Sequence, residues 1–135
     1  MAELNVDLVA ADRNVWRGAA KMVVAKTPLG EIGILPGHEP VLAVLVDGEV
    51  RIETVEGEKV RVAVAGGFFS VDSNDVRILA EAAELASEID VARAEAALER
   101  AKAAGADDPD EIEAMKRAEN RLRVASYHVH APSHR

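Results

Sequence analysis

The fold of the N-terminal part of the chain is decided by residues 48–65, GEVRIETVEGEKVRVAVA. Branched apolar residues alternate with charged ones in Val50-Arg51-Ile52-Glu53 and again in Val60-Arg61-Val62. A period of two is typical of a β-strand that buries one face and exposes the other. Glu56-Gly57 lies between the two segments and supplies a turn. The stretch therefore predicts two strands, Glu49–Val55 and Lys59–Ala65.

Similar segments rich in Val and Ile continue on both sides of this stretch. Further strands are predicted at Leu4–Val9, Lys21–Thr27 and Val76–Ala80. Turns are predicted at Arg17-Gly18, Leu29-Gly30, Pro36-Gly37, Asp47-Gly48, Gly66-Gly67 and Ser73-Asn74-Asp75. No helix-length periodic run separates the strands, which disfavours a doubly wound sheet. Many short strands with frequent turns predict an antiparallel β-sandwich or a flattened barrel.

Two groups of glycines have a structural explanation. Gly30, Gly33 and Gly37 bracket a predicted tight reversal, where a positive φ or a close backbone approach would exclude a side chain. Gly66-Gly67 stands before Phe68 and predicts a bulge or bend that carries one strand into the second sheet.

After Glu84 the composition changes to Ala and charged residues, and β-branched residues become rare. Ser87 and Asp90 resemble a capping box, which predicts a first helix over 88–104 with Gly105 as its C′ residue. Asp107-Asp108 then provides a cap and Pro109 a first helical residue, so a second helix is predicted to about Ser126.

The apolar face of the second helix is predicted from its spacing, and the first helix offers mostly Ala. Because this interface buries little area, we expect a hairpin that can open, followed by a frayed tail over 127–135. The predicted fold class is β + α, with an N-terminal antiparallel β-sandwich over 1–86 and a C-terminal two-helix antiparallel hairpin over 87–135. The stripe of the second helix is Ile112, Met115, Ala118, Leu122 and Ala125.

The composition of the chain excludes several classes of function. Hydrophobic residues make up 49% of the 135 residues, and the chain has no cysteine and a net charge of −8. The charge disfavours nucleic-acid binding, because a phosphate backbone needs a basic partner surface. No apolar run approaches the roughly 18 residues of a membrane span, and no export signal precedes the first strand, so we expect no membrane insertion. Disulfides and thiol chemistry are excluded.

Four motifs, in order along the chain, resemble the epsilon-subunit family of bacterial F-type ATP synthases. The first resembles the family signature GE(L/I)GILPGH, and the last resembles the (I/L)DxxRA motif that opens the first helix in members that bind ATP. The layout of a small β-sandwich followed by an Ala-rich hairpin is also that of the family. The motifs are Gly30–His38 (GEIGILPGH), Ala65–Val71 (AGGFFSV), Val76–Glu81 (VRILAE) and Ile89–Ala94 (IDVARA).

The resemblance implies a non-catalytic subunit of the central stalk, with the catalytic sites on the beta subunits. In the family the sandwich contacts the gamma subunit and the polar loops of the membrane c-ring. The hairpin folds on the sandwich or extends toward the alpha and beta subunits of the catalytic head. The implied role is to couple proton-driven rotation to ATP synthesis and to regulate hydrolysis, and no cofactor is required. The implied location is peripheral, on the cytoplasmic face of the bacterial cell membrane.

Glu31 and His38 are the candidate partner-contact residues. In the family, the turn that carries them lies in the region that touches other subunits. The alternative is that both are ordinary loop residues, because a lone histidine is a weak signal of function.

The hairpin carries a candidate site for ATP as a regulatory ligand. Asp90, Arg93 and Arg100 can share one face of the first helix, and Arg93 to Arg100 spans roughly 10 Å, the length of a triphosphate. The full candidate set is Glu84, Asp90, Arg93, Arg100, Arg117 and Arg121, as in ATP-binding relatives. The alternative is that these arginines only decorate a solvated face and complement the helix dipole. A stand-alone ATP-sensing module on a β-sandwich scaffold is the second functional hypothesis.

A third hypothesis is an unrelated metalloenzyme. His128, His130 and His134 have a spacing that suggests metal ligands, but they lie in a polar segment with no neighbouring carboxylate or cysteine. Metal sites need oriented and supported ligands, so the sequence disfavours this reading and we expect no metal site. No catalytic residue is predicted, since the chain has no P-loop, no GxSxG motif and no Cys nucleophile.

Overall fold

The chain divides into two compact units, Met1–Leu85 and Ala86–Arg135. The computed structural model describes residues 2–104 and 109–130. The second unit contains a 3₁₀ turn at Ala86–Glu88 and the helices α1 (Val91–Ala104) and α2 (Pro109–His130). The first unit, the sandwich, contains β1 (Leu4–Ala10), β2 (Arg13–Thr27), β3 (Gly30–Ile34), β4 (Val41–Val44), β5 (Gly48–Thr54), β6 (Lys59–Asp72) and β7 (Asp75–Leu85).

The strands of the sandwich close on themselves. β1 pairs with β2 on one side and with β7 on the other, and β6 and β5 complete the circuit between β7 and β2. β3 adds to β2, and β4 adds to β6. Within the described strands only the β1–β7 pair is parallel. Parallel neighbours need a long connection, and the five intervening strands provide it. The predicted sandwich is confirmed, with this one parallel pair as an unforeseen feature.

Alternate residues of most strands fill a single core that is mostly aliphatic. In β5, Val50 and Ile52 are buried, whereas Glu49, Arg51 and Glu53 on the opposite face are half-buried. The period of two in the sequence therefore identifies the core face correctly. The largest fully buried side chains are Phe69, Leu4, Leu8, Ile34, Ile52 and Ile78.

The structure corrects part of the strand prediction. β3 and β4 occupy residues for which no strand was predicted, and β2 begins at Arg13, so the predicted turn at Arg17-Gly18 is wrong. Gly18 serves packing instead: a Cβ there would lie 2.8 Å from Cη2 of Trp16, so the glycine leaves space for the indole. Gly30 and Gly37 have the expected positive φ, at +115° and +88°. Gly33 has neither a positive φ nor a close neighbour and lies inside β3.

Gly66 and Gly67 bend β6. Before the bend, β6 pairs with β5, and after it, from Phe68, with β4. The glycines have φ values of +64° and +113°, and a Cβ at Gly67 would lie 2.0 Å from the backbone oxygen of Leu79. The register with β7 is the same on both sides of the bend, so no extra residue is inserted. The predicted bend is confirmed, and the bulge is not observed.

In the second unit, α1 packs against α2. The first helix starts at Val91 rather than Glu88, and its N-cap is Asp90 rather than Ser87. The Asp90 carboxylate accepts a hydrogen bond from the Arg93 backbone N at 3.1 Å, and the Asp90 carbonyl accepts one from Ala94 N at 3.0 Å. Both bonds are those of an N-cap residue.

The second helix begins at Pro109, as predicted, but continues to His130 instead of ending near Ser126. Gly105, Asp107, Asp108 and residues 131–135 lie outside the described residues, so the predicted caps there are untested. All five residues of the predicted stripe are buried or half-buried, and Asn120 and Val124 are buried in addition.

Candidate functional site

Glu31 lies at the start of β3, beside the turn from β2. Its carboxylate accepts two parallel hydrogen bonds from the Arg51 guanidinium, with Nη1–Oε2 at 3.2 Å and Nη2–Oε1 at 3.1 Å. Arg51 belongs to β5, which is separated from β3 by β2. The bidentate pair therefore ties the edge strand β3 across its neighbour to the body of the sandwich.

The pair continues into a row of alternating charges that we call the charged ladder, formed by Glu31, Arg51, Glu49 and Arg61. Arg51 Nη1 also donates to Glu49 Oε1 at 3.4 Å, and Glu49 forms an ion pair with Arg61 of β6. Arg51 and Arg61 are directly opposite in the β5–β6 register, where like charges repel. Glu49 contacts both guanidinium groups and so relieves that repulsion.

The charged ladder becomes more exposed toward Glu31. The side chains of Glu49 and Arg61 are 15% and 17% exposed, whereas those of Arg51 and Glu31 are 38% and 54% exposed. Burial by itself would lower the pKa of Arg51, but the hydrogen bonds and charges of Glu31 and Glu49 outweigh it and raise that pKa. Arg51 therefore stays charged wherever the sandwich is folded.

His38 lies in the loop after β3. Its backbone N donates to Leu35 O at 3.1 Å, which closes a turn, and its ring Nδ1 donates to the Glu39 carbonyl oxygen at 2.7 Å. Gly37 N donates to Asn74 Oδ1 at 2.7 Å, which attaches the loop to the β6–β7 turn. Glu31 thus lies at the start of β3 and His38 lies in the loop after it, each with its own contacts. The structure does not bring them into one site.

The sandwich also exposes an apolar row that the sequence analysis missed, which we call the apolar face: Leu42, Val44, Phe68 and Leu79. Their exposed fractions are 75%, 52%, 54% and 54%. Val44 is opposite Phe68 in the β4–β6 register, and Phe68 is opposite Leu79 in the β6–β7 register. Cross-strand partners share one face of a sheet, so these side chains form a continuous row.

A groove of about 510 Å³ runs beside the apolar face. Val9, Ala10 and Ala11 line it together with Phe68 and Leu79. Gly66 and Gly67 also line it, so the bend in β6 shapes the groove. Contiguous exposed apolar patches of this kind mark sites of protein–protein contact. The signal in the sequence was the apolar run of residues 41–46, which has no polar alternation to reveal its exposed side.

The candidate ATP ligands are divided between the two units. Glu84 belongs to β7, opposite Ala63, and is half-buried. Asp90, Arg93, Arg100, Arg117 and Arg121 belong to the hairpin.

The hairpin arginines border buried small residues. Arg93 and Arg100 are exposed and directly precede the buried Ala94 and Ala101, and Arg117 directly precedes the buried Ala118. Arg121 is half-buried and follows the buried Asn120. The Asp90 carboxylate is already engaged as the N-cap of α1. The arrangement offers cations along the edges of both helices, which suits an anionic ligand.

Two further predictions concern metals and membranes. Within residues 2–104 and 109–130, no group of three His, Cys, Asp or Glu side chains is placed to hold a metal ion. His128 and His130 fall in the last turns of α2, and His134 is outside the described residues. In the described part of the chain, neither helix is long and apolar enough to span a membrane.

Comparison with known sequences finds ATP synthase epsilon chains that are similar over nearly the whole chain. A family model described as "ATP synthase, Delta/Epsilon chain, beta-sandwich domain" matches residues 3–86. The ATP synthase epsilon chain of Streptomyces avermitilis is 55% identical over 125 residues, covering 93% of this chain and 97% of the relative. That of Rhodococcus jostii is 50% identical over 125 residues, covering 92% and 97%.

Two solved structures with this fold are of mitochondrial ATP synthases. A chain of the Euglena gracilis mitochondrial ATP synthase, in a structure of OSCP, F1 and the c-ring, superposes with a TM-score of 0.74 at 25% identity, covering 96% of this chain and 83% of that chain. A chain of the Tetrahymena thermophila mitochondrial central stalk and c-ring shares the fold, with a TM-score of 0.58 at 19% identity, covering 93% and 95%. The chain therefore belongs to the ATP synthase delta/epsilon family and is an epsilon chain.

Proposed function

We propose that the chain is the central-stalk subunit that docks on gamma through the apolar face and presents Glu31 and His38 to neighbouring rotor subunits. The apolar face carries this proposal. Four large apolar side chains are exposed on one surface beside a groove, and three of them, Val44, Phe68 and Leu79, are cross-strand partners. Leaving these side chains in water costs free energy. The chain itself performs no catalysis, and its role is to transmit rotation.

The similarity to a chain of an ATP synthase structure that includes F1 and the c-ring supports stalk partners for this chain. In this proposal gamma contacts the apolar face, and the c-ring loops contact the exposed end of the charged ladder. The subunit is then peripheral, on the cytoplasmic face of the membrane, and it couples proton flow to ATP synthesis without entering the lipid. The hairpin regulates hydrolysis by contacting the alpha and beta subunits of the head.

The experiment is to remove the chain from the isolated motor and add back defined forms. We expect the full chain to restore proton-coupled ATP synthesis and to keep hydrolysis low. A chain ending at Ala86 is expected to restore synthesis while leaving hydrolysis several-fold higher, because the sandwich holds the coupling contacts and the hairpin is absent. The rates of ATP synthesis, proton pumping and ATP hydrolysis are measured on the same vesicles. Unchanged synthesis without any added chain would contradict the coupling role.

We also propose that the hairpin binds ATP as a regulatory ligand. The supporting observation is that Arg93, Arg100 and Arg117 are exposed beside buried alanines on two packed helices. ATP at ten times its Kd would stabilise the folded hairpin by about 1.4 kcal/mol through mass action.

Replacing Arg93 and Arg100 together by Ala is expected to abolish the rise in Tm that millimolar ATP gives the wild-type chain. Each change removes a charge-assisted phosphate partner, while Ala is at least as good a helix former as Arg. Glu99→Ala, an exposed change beside Arg100, should keep the full response. If ATP stabilises the double variant as much as the wild type, the arginines only complement a solvated surface. An ATP response in a chain that binds no gamma would favour the stand-alone sensing module.

A further inference from the structure

At the exposed end of the charged ladder, the carboxylate of Glu31 is held in one orientation. A glutamate on an edge strand normally samples many rotamers, because its side chain has three rotatable bonds. Glu31 instead accepts two parallel hydrogen bonds from a planar guanidinium, at 3.1 Å and 3.2 Å. Such a fork fixes both the position and the plane of the carboxylate.

The guanidinium of Arg51 is itself held from behind. Glu49 accepts from Arg51 at 3.4 Å and forms a second ion pair with Arg61, and both of these side chains are largely buried. The constraint therefore runs outward, from the less exposed Glu49–Arg61 pair, through Arg51, to the half-exposed Glu31. Loss of Arg51 would leave Glu49 paired with Arg61 and would free Glu31 alone.

We infer that Arg51 is a positioning residue for the contact between Glu31 and the c-ring, an inference that rests on the proposed function. Because Arg51 orders Glu31 before the partner arrives, binding need not supply that entropy. Arg51 also neutralises the carboxylate, so the matching partner surface is polar and uncharged, with backbone N–H, amide or hydroxyl donors for the free lone pairs of Glu31. A cationic partner would have to compete with a guanidinium that is already bound.

The test measures the affinity of the full chain, in complex with gamma, for c-rings of the same organism held in nanodiscs. Arg51→Gln is expected to weaken this binding roughly 3- to 10-fold, which corresponds to the cost of ordering one long side chain. Glu31→Gln is expected to weaken it at least as much. The double variant should bind no more weakly than Glu31→Gln, because Arg51 acts through Glu31. Arg51→Lys should restore less than half of the loss, since an ammonium cannot form the fork.

The matched control is Arg17→Gln. Arg17 forms a single cross-strand ion pair with Asp7 at 3.1 Å, so this change removes the same charge and one surface pair elsewhere on the sandwich. It should leave c-ring binding unchanged. A merely structural role of Arg51 would also weaken gamma binding and lower Tm more than Glu31→Gln does, so both are measured for every variant.

The possible outcomes distinguish a failure of the positioning role from a failure of the proposed c-ring contact. Wild-type binding by Arg51→Gln, with weakened binding by Glu31→Gln, would overturn the positioning role and leave the c-ring contact standing. Additive losses in the double variant would also overturn it, because Arg51 would then contact the partner directly. If the wild-type complex does not bind c-rings while gamma binding is intact, the c-ring contact fails and the inference fails with it.

Discussion

Replacing Phe68 by Asp is expected to weaken the binding of the chain to gamma by at least about 100-fold. Phe68 stands between Val44 and Leu79 in the cross-strand row, so it occupies the middle of the apolar face. Aromatic side chains at the centre of an interface contribute most of its binding free energy. A carboxylate there would be buried against apolar groups without a partner, which adds a desolvation penalty to the lost contact.

The matched control for this change is Val55→Asp. Val55 is 42% exposed, follows β5 and is outside the apolar face, so it gives the same charge change at a comparable exposure. Dissociation constants for gamma are measured by calorimetry, and the fold of each variant is checked by circular dichroism. Equal affinities for Phe68→Asp and wild type would show that gamma docks on another surface.

Replacing Gly67 by Ala is expected to destabilise the sandwich by roughly 3 kcal/mol or more. A Cβ at this position would lie 2.0 Å from the Leu79 oxygen and 2.8 Å from the Ala80 Cα, and both of these atoms belong to the backbone of β7. Backbone atoms cannot rotate away as a side chain can, so β6 and β7 would have to separate. The φ of +113° adds strain for any residue with a side chain.

Gly57→Ala is the control that isolates the effect of φ. Gly57 has a φ of +94° in the β5–β6 turn, and a Cβ there has nothing within 4 Å. The substitution should therefore lower the free energy of unfolding by only about 1–2 kcal/mol. Urea unfolding measures the free energy of unfolding of both variants. An unchanged m-value shows that only stability has changed. A similar loss for the two would mean that the bend tolerates the extra atom and that φ alone explains the glycine.

The main strands could be predicted because they alternate and because turn residues separate them. β4 was missed since its apolar residues show no alternation, and two of them, Leu42 and Val44, are exposed together with Phe68 and Leu79 on the apolar face. Gly18 was mistaken for a turn residue because a glycine that accommodates a tryptophan two positions away looks, in sequence, the same as one that turns the chain. The helix start was misplaced because Ser87 and Asp90 both favour an N-cap, and only the hydrogen bonds distinguish them.

The candidate site was predictable only in part. Glu31 was found through its motif, whereas its partner Arg51 is 20 residues away in sequence and in a strand that is not adjacent to β3. No local pattern links such residues, because the pairing depends on strand order and register. The hairpin arginines were found from helical spacing, which is local and therefore visible in the sequence.

The most direct test of the central claim is photocrosslinking from the apolar face in the assembled motor. A benzoyl-phenylalanine placed at position 68 should crosslink to gamma, because the face is then covered by that subunit. The same residue at position 55 is the control and should give little gamma product. Strong crosslinking from position 68 to gamma would confirm the docking surface. Crosslinking of position 68 to no stalk subunit, or equally from both positions, would contradict the account.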